Sequence, residues 1–216
     1  MKQKTRQLTT IGMLCALAFV VSFFKIPVIL WLKYEPKDVI IAIGGFVLGP
    51  VSATIISVLA ALIELPFSET GPIGAIMNAI ASCAFVCPAA ILYKRRHSLR
   101  YAAIGLISGA IVATGVMLLW NYFLTPLYMG YPREAVAELL IPAFLPFNLL
   151  KTGLNTAFTL LLYKPAVTAL RRAKLMPDTG IGGQAPTKKE RVGAYLLAVF
   201  LLITGIVAIL VMQGVI

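Results

Sequence analysis

Long apolar segments, separated by short charged or proline-bearing stretches, take up most of the 216 residues of this chain. A helix that crosses the lipid core of a membrane needs about 20 mostly apolar residues. Hydrophobic residues make up 60% of the chain and charged residues 12%, and the charged fraction of a soluble domain is about twice as large. The sequence therefore predicts an all-α, polytopic membrane bundle and leaves no room for a sizeable soluble domain.

The boundaries of the apolar segments predict the order of the helices. The segments cover 8–24, 38–48, 50–65, 73–93, 101–123, 139 to beyond 163, and 192–212. The second segment is short for a span, and Asp38 is expected to cap its N-terminus. Two prolines and several charges predict a loop over 25–37, and a polar stretch predicts another over 124–138.

The domain organisation follows from the same pattern. We predict a membrane domain over 1–172, a basic Gly/Pro linker over 173–191 and an additional membrane helix within 192–216. The first segment resembles a signal peptide, but its candidate cleavage motif at Ala16-Leu17-Ala18 lies in the middle of the apolar run. We therefore expect a first helix that is retained.

The distribution of lysine and arginine predicts the orientation of the chain. If the N-terminus is cytoplasmic, the basic residues of the outer loops are Lys25, Lys33, Lys37 and Arg133, and Lys151 lies within a segment. All the other basic residues then fall on the cytoplasmic side, as the positive-inside rule requires. The C-terminus is extracellular if the last segment spans. The net charge of +11 is thus explained by topology rather than by nucleic-acid binding.

The sequence offers few of the parts that catalysis requires. His97 is the single histidine and lies in a basic loop, and no phosphate-binding glycine loop is present. The cysteines, Cys15, Cys83 and Cys87, fall within apolar segments, where they are expected to pack as small hydrophobic residues. We expect no enzyme, no catalytic residues and no metal site.

Polar residues inside membrane segments are costly and often functional. Asn121 stands among aromatic residues at the outer end of the fifth segment, and its amide is either a helix-packing group or a ligand contact. Asn148 and Lys151 are three residues apart and share a helix face. Lys151 either snorkels to the surface or contacts a ligand. Glu64 and Asn78 are either ordinary interfacial groups or further ligand contacts.

Three motifs resemble the riboflavin-binding substrate component (S component) of energy-coupling factor (ECF) transporters. The first joins Lys33-Tyr34-Glu35-Pro36-Lys37-Asp38 to Gly44-Gly45-Phe46-Val47-Leu48-Gly49-Pro50, and Thr70-Gly71-Pro72-Ile73-Gly74 continues it. The second is Asn121-Tyr122-x-x-Thr125-Pro126-x-Tyr128-Met129-Gly130. The third is Leu145-Pro146-Phe147-Asn148-Leu149-Leu150-Lys151. The resemblance covers about residues 8–172.

The resemblance implies a six-helix core that binds the vitamin near the outer face, so the last segment would be a seventh helix. Asn121 and Lys151 would hydrogen-bond the flavin ring, and Tyr34, Trp120, Tyr128 and Phe147 would cover its faces. Asn148, on the same helix face as Lys151, is expected to be a further ligand contact. Riboflavin would be a transported ligand, and no cofactor is implied. A membrane coupling subunit and two ATPase subunits would be the partners, docking on the first helix near Gly12 and Ala16.

Two other functions stay open from the sequence. The cargo could be another vitamin or a queuosine-type base. Alternatively, the chain could be a membrane protein whose basic loops act on anionic lipid at the cytoplasmic surface.

Overall fold

The computed structural model describes residues 2–68, 71–173, 175 and 188–214. It is a helical bundle that carries a short β-hairpin at one end. In chain order the helices and strands are α1 (Lys2–Ser22), β1 (Ile26–Ile29), β2 (Leu32–Tyr34), α2 (Lys37–Leu48), α3 (Pro50–Glu64), α4 (Gly71–Arg95), α5 (Leu99–Met129), α6 (Arg133–Leu139), α7 (Leu145–Arg172) and α8 (Lys188–Met212). A 3₁₀ turn at Leu65–Phe67 follows α3, and a π-helical turn at Leu140–Phe144 joins α6 to α7.

Within the described residues, six helical stretches are long and apolar enough to cross a membrane. They lie in α1, in α3 with its 3₁₀ turn, in α4, in α5, in α6–α7 and in α8. The predicted multi-pass helical bundle is thereby confirmed. Helix α2 is different, because its 12 residues reach only about 18 Å at 1.5 Å per residue. The prediction that the second segment is short is confirmed.

Helix α2 lies in the middle of the bundle, and glycine allows its neighbours to approach closely. A Cβ atom added at Gly44 would lie 2.8 Å from Ile56 of α3. One added at Gly45 would lie 3.1 Å from both Ala53 of α3 and Ala90 of α4. Gly49 then separates α2 from α3 with a φ of +91°, a conformation that glycine adopts without steric cost. The Gly-Gly and Gly-Pro motifs therefore serve close packing and a sharp turn.

The segment predicted as a loop over 25–37 contains the antiparallel pair β1–β2. Ile26 pairs with Tyr34, and Ile29 pairs with Leu32, with an irregularity in register between them. Val28, Leu32 and Tyr34 are buried against the bundle. The prolines that favour a loop are tolerated because Pro27 lies in a short edge strand, where a missing N–H is not needed.

The prediction of a loop over 124–138 is wrong for most of that stretch. Helix α5 continues through Pro126 and ends at Met129, where Gly130 adopts φ +70°. Helix α6 begins at Arg133. The π-helical turn that follows contains Pro142, and a proline that lacks its N–H shifts the hydrogen-bond ladder of a helix.

Helix α8 packs along α7 and contacts α5 and β1. It begins at Lys188, four residues before the predicted start of the last helix. Residues 174 and 176–187 of the predicted linker lie outside the described part of the chain, so the predicted domain boundaries remain predictions. At the middle of α8, Gly205 is buried against Leu154 of α7.

Candidate functional site

Among the described residues, the buried charged side chains lie at the end of the bundle that carries the hairpin. Asp38 is buried there in the first turn of α2. Its carboxylate accepts hydrogen bonds from Ser82 Oγ at 2.5 Å and from Asn155 Nδ2 at 3.2 Å. The prediction that Asp38 caps α2 is wrong, since Pro36 holds the cap position and no side chain caps the helix. Asp38 instead joins α2 to α4 and α7.

The same network fixes Tyr34 of the hairpin. Its side chain is buried, and its hydroxyl donates to Asn155 Oδ1 at 3.0 Å. Burial and the nearby Asp38 carboxylate together raise the pKa of Tyr34 above its usual value. The amide of Asn155 thus accepts a hydrogen bond from Tyr34 of β2 through its oxygen and donates one to Asp38 through its nitrogen. Tyr34, predicted to cover a ligand ring, is held in place by this bond.

A second cluster of charges lies beside this network. Lys37 is 2% exposed; its Nζ contacts Glu64 Oε2 and lies 3.1 Å from Glu35 Oε2. Lys25 Nζ approaches the other oxygen of Glu35 at 3.4 Å. Glu64, predicted as an interfacial group or a ligand contact, is therefore the partner of a buried lysine. The cluster joins the hairpin end to α2 and α3.

Lys151 of α7 completes the electrostatic environment of Glu35. Burial alone would raise the pKa of Glu35, but the ammonium groups of Lys37, Lys151 and Lys25 outweigh burial and hold it below its ordinary value. Lys151 is half-buried. The structure therefore places this predicted ligand contact at the hairpin end of the bundle, within electrostatic range of Glu35.

Asn121 of α5 points into the bundle and is 2% exposed. Its Nδ2 donates to the Met117 carbonyl at 2.7 Å, and its Oδ1 accepts from Thr125 at 3.0 Å. An amide has two N–H groups and an oxygen with two lone pairs, so each half retains capacity for another partner. The neighbouring Trp120 has a buried Nε1 that finds no acceptor in the described part of the chain.

Asn148 and Phe147 lie at the start of α7 and are both buried. Asn148 Nδ2 donates to the Phe144 carbonyl at 2.7 Å. Phe147 belongs to an apolar cluster that includes Val28 and Tyr34 of the hairpin. The structure thus brings the third sequence motif next to the first loop, as the resemblance implies.

The structure says less about two of the predicted ligand contacts, Asn78 and Tyr128. Asn78 is half-buried on α4. The side chain of Tyr128 lies outside what the structure describes. Three residues after Tyr128, Tyr131 stacks on Trp31 of the hairpin turn, with 5.6 Å between the ring centroids. The first loop therefore contacts the segment that joins α5 to α6.

The sequence model of the family described as "ECF transporter, substrate-specific component" matches residues 6–163. This chain belongs to that family. The matched part contains every residue of the two polar clusters and ends within α7, so α8 lies beyond it. The predicted family, the predicted fold and the expected non-enzymatic role are confirmed.

Individual relatives agree with this assignment of the S component. This chain is 32% identical to the riboflavin transporter RibU of Staphylococcus aureus, over 79% of this chain and 95% of the relative. It is 27% identical to the riboflavin transporter FmnP of Bacillus subtilis over 80% of this chain and 99% of the relative. A solved structure of the S component of a bacterial ECF transporter superposes with a TM-score of 0.67 at 32% identity. The match covers 79% of this chain and 100% of the chain in that solved structure.

The S component has a surface of small residues on α1, where docking is predicted. Gly12 and Ala16 are both exposed, and a Cβ atom added at Gly12 would meet nothing within 4 Å. Small residues on a membrane-facing helix allow another helix to approach closely. The surface is therefore accessible to a partner within the bilayer.

Sequence reasoning missed several residues that organise the site. Asn155 was not singled out, although it lies one helical turn after Lys151 in a largely apolar helix. Ser82 gave no signal, because a lone serine in a membrane helix usually bonds to its own backbone. Lys37 and Glu35 were visible only as parts of a charged loop. An amide spaced i+4 from a lysine within a largely apolar helix was the signal that could have found Asn155.

Proposed function

We propose that this S component binds riboflavin at the hairpin end of the bundle and delivers it inward with an ECF coupling module. The observation that carries the proposal is the Tyr34–Asn155 hydrogen bond. It fastens the first loop to α7 one helical turn from Lys151. The names of the RibU and FmnP relatives support riboflavin as the cargo.

The chemistry of the flavin ring suits the residues at this end. The pyrimidine edge of an isoalloxazine carries two carbonyl acceptors and one N–H donor. The amides of Asn121 and Asn148 offer both donors and acceptors, and the Lys151 ammonium offers donors alone. The indole N–H of Trp120 has no acceptor among the described residues, so it is also available to a bound ligand. We assign Asn121, Asn148 and Lys151 to the polar contacts of the flavin ring.

The apolar part of the site would come from aromatic side chains. Phe147 is buried in the apolar cluster that carries the hairpin, and Tyr34 is fixed beside it. Offset stacking on a flat heterocycle is favourable for such rings. Tyr128 and Trp120 are the other aromatic residues that we assign to the ring faces. Glu64 and Asn78 would act more remotely, and Glu64 would do so by neutralising Lys37.

We further propose that the N-terminus is cytoplasmic, so that the hairpin end faces outward. The basic runs at the end of α4 and the end of α7 then lie inside, as the positive-inside rule favours. α8 returns the chain to the outer side. We also propose a membrane coupling subunit and two ATPase subunits as its partners, as the resemblance to ECF transporters implies.

Riboflavin binding tests this function directly. Riboflavin fluorescence should be quenched on titration with the purified protein. Unlabelled riboflavin should displace the bound vitamin, while biotin and thiamine should not. Displacement by a different vitamin with higher affinity would assign the site to another cargo, and a protein that neither carries nor quenches flavin would refute the proposal.

A further inference from the structure

Helix α8 lies beyond the part of the chain that matches the family, and it reaches the hairpin. We propose that α8 is a positioning helix, which holds β1–β2 against α7 and thereby slows the release of bound ligand to the outside. Gln213 and Gly205 are the residues through which it acts. The ligand half of this inference rests on the proposed function, whereas the restraint of the hairpin does not.

Apolar packing provides the first contact between α8 and the hairpin. Val28, Leu32 and Tyr34 of the hairpin form a buried cluster with Leu150 and Leu154 of α7. Partly buried residues of α8 pack against this cluster, namely Leu202, Ala208, Ile209 and Met212. An opening hairpin would lose this packing and expose the apolar face that it buries.

A polar contact at the C-terminal end of α8 provides the second link. Gln213 Nε2 donates to the Pro27 carbonyl at 2.7 Å. Proline donates no hydrogen bond of its own, and its carbonyl is directed to α8. The bond joins two segments that are 186 residues apart in sequence, so it adds a restraint that the local hairpin geometry does not supply.

The position of α8 along α7 depends on the small size of Gly205. A Cβ atom added there would lie 2.5 Å from Leu154 Cδ2 and 3.0 Å from Leu154 Cγ. Leu154 is itself 4% exposed and belongs to the cluster beneath the hairpin. A larger side chain at Gly205 should push α8 away from α7 and loosen both contacts with β1.

Two further positions on α8 provide matched controls. A Cβ atom added at Gly193 would meet nothing within 4 Å. Thr204 is exposed, and among the described residues its hydroxyl bonds only to the Phe200 carbonyl of the same helix, at 2.8 Å. Gly193→Leu therefore controls for Gly205→Leu, and Thr204→Ala controls for Gln213→Ala.

Two measurements on the full-length protein test the inference. In the absence of ligand, backbone amide hydrogen exchange across residues 26–34 should be faster in Gly205→Leu and Gln213→Ala than in the wild type. With bound radiolabelled riboflavin, a chase with unlabelled vitamin should show dissociation about three- to tenfold faster, the range expected for the loss of one net hydrogen bond. Both controls should behave as the wild type does.

The two measurements separate the inference from the proposed function. A wild type that fails to bind riboflavin refutes the proposed function, and the hydrogen exchange of the hairpin still decides whether α8 restrains it. Unchanged exchange in both Gly205→Leu and Gln213→Ala would overturn the inference. So would dissociation rates equal to the wild-type rate in both variants. If Gly205→Leu does not fold, Gln213→Ala alone decides.

Discussion

Replacement of Lys37 by methionine should destabilise the folded protein by about 3–5 kcal/mol, the cost of leaving buried charges without their partner. Lys37 is 2% exposed, and it lies between Glu35 and Glu64, both of which are largely buried. Without its ammonium group the two carboxylates would repel each other in a region with little water. The loss should appear as a lower midpoint of unfolding in detergent titrations followed by tryptophan fluorescence.

Lys25→Met is the matched control, because Lys25 pairs with the same carboxylate. Its side chain is 35% exposed, and solvent-exposed ion pairs contribute about 0–1 kcal/mol. Addition of Glu64→Gln to Lys37→Met should recover part of the lost stability, since it removes one of the stranded charges. Equal losses in the two lysine variants would contradict the described burial of Lys37.

Gly12→Leu should greatly reduce uptake while leaving riboflavin affinity unchanged. The reason is that Gly12 is exposed in the middle of α1, away from the hairpin end of that helix, and an isobutyl group would prevent close approach of a partner helix. A loss of only about 1.4 kcal/mol in docking free energy lowers the association constant of the complex tenfold. Whole-cell uptake of radiolabelled riboflavin, with expression levels matched, provides the measurement.

Gly115→Leu is the control for this substitution. Gly115 is also an exposed glycine, on α5, and a Cβ atom added there meets nothing within 4 Å. Both variants add the same side chain to a lipid-facing surface, so only docking distinguishes them. Normal uptake in Gly12→Leu would contradict docking on α1. It would not bear on the proposed riboflavin site.

The sequence predicted the helices of the bundle because membrane helices follow directly from hydrophobic length. The shortness of α2 was also predicted, because its apolar segment covers only residues 38–48. The hairpin was not predicted. A strand pair of four and three residues leaves a weak periodic signal, and Pro27 argued against it.

The sequence predicted which helices carry the candidate site, and it did not predict the contacts between the residues of that site. The motifs containing Asn121 and Lys151 directed attention to α5 and α7, and both helices do meet the hairpin end. The roles of Asn155 and Asp38 depend on three helices that come together in space. No local pattern encodes that meeting, so a residue assigned as a helix cap turned out to be a buried acceptor.

The riboflavin dissociation constant of Lys151→Ala, compared with that of Lys164→Ala, tests the central claim most directly. Both lysines belong to α7, but Lys164 is exposed near its other end. We expect Lys151→Ala to bind riboflavin about 5- to 150-fold more weakly, equivalent to about 1–3 kcal/mol for a lost hydrogen bond from a charged donor. Lys164→Ala should bind as the wild type does. Equal affinity in the wild type and Lys151→Ala would contradict a vitamin site formed by α7 and the hairpin.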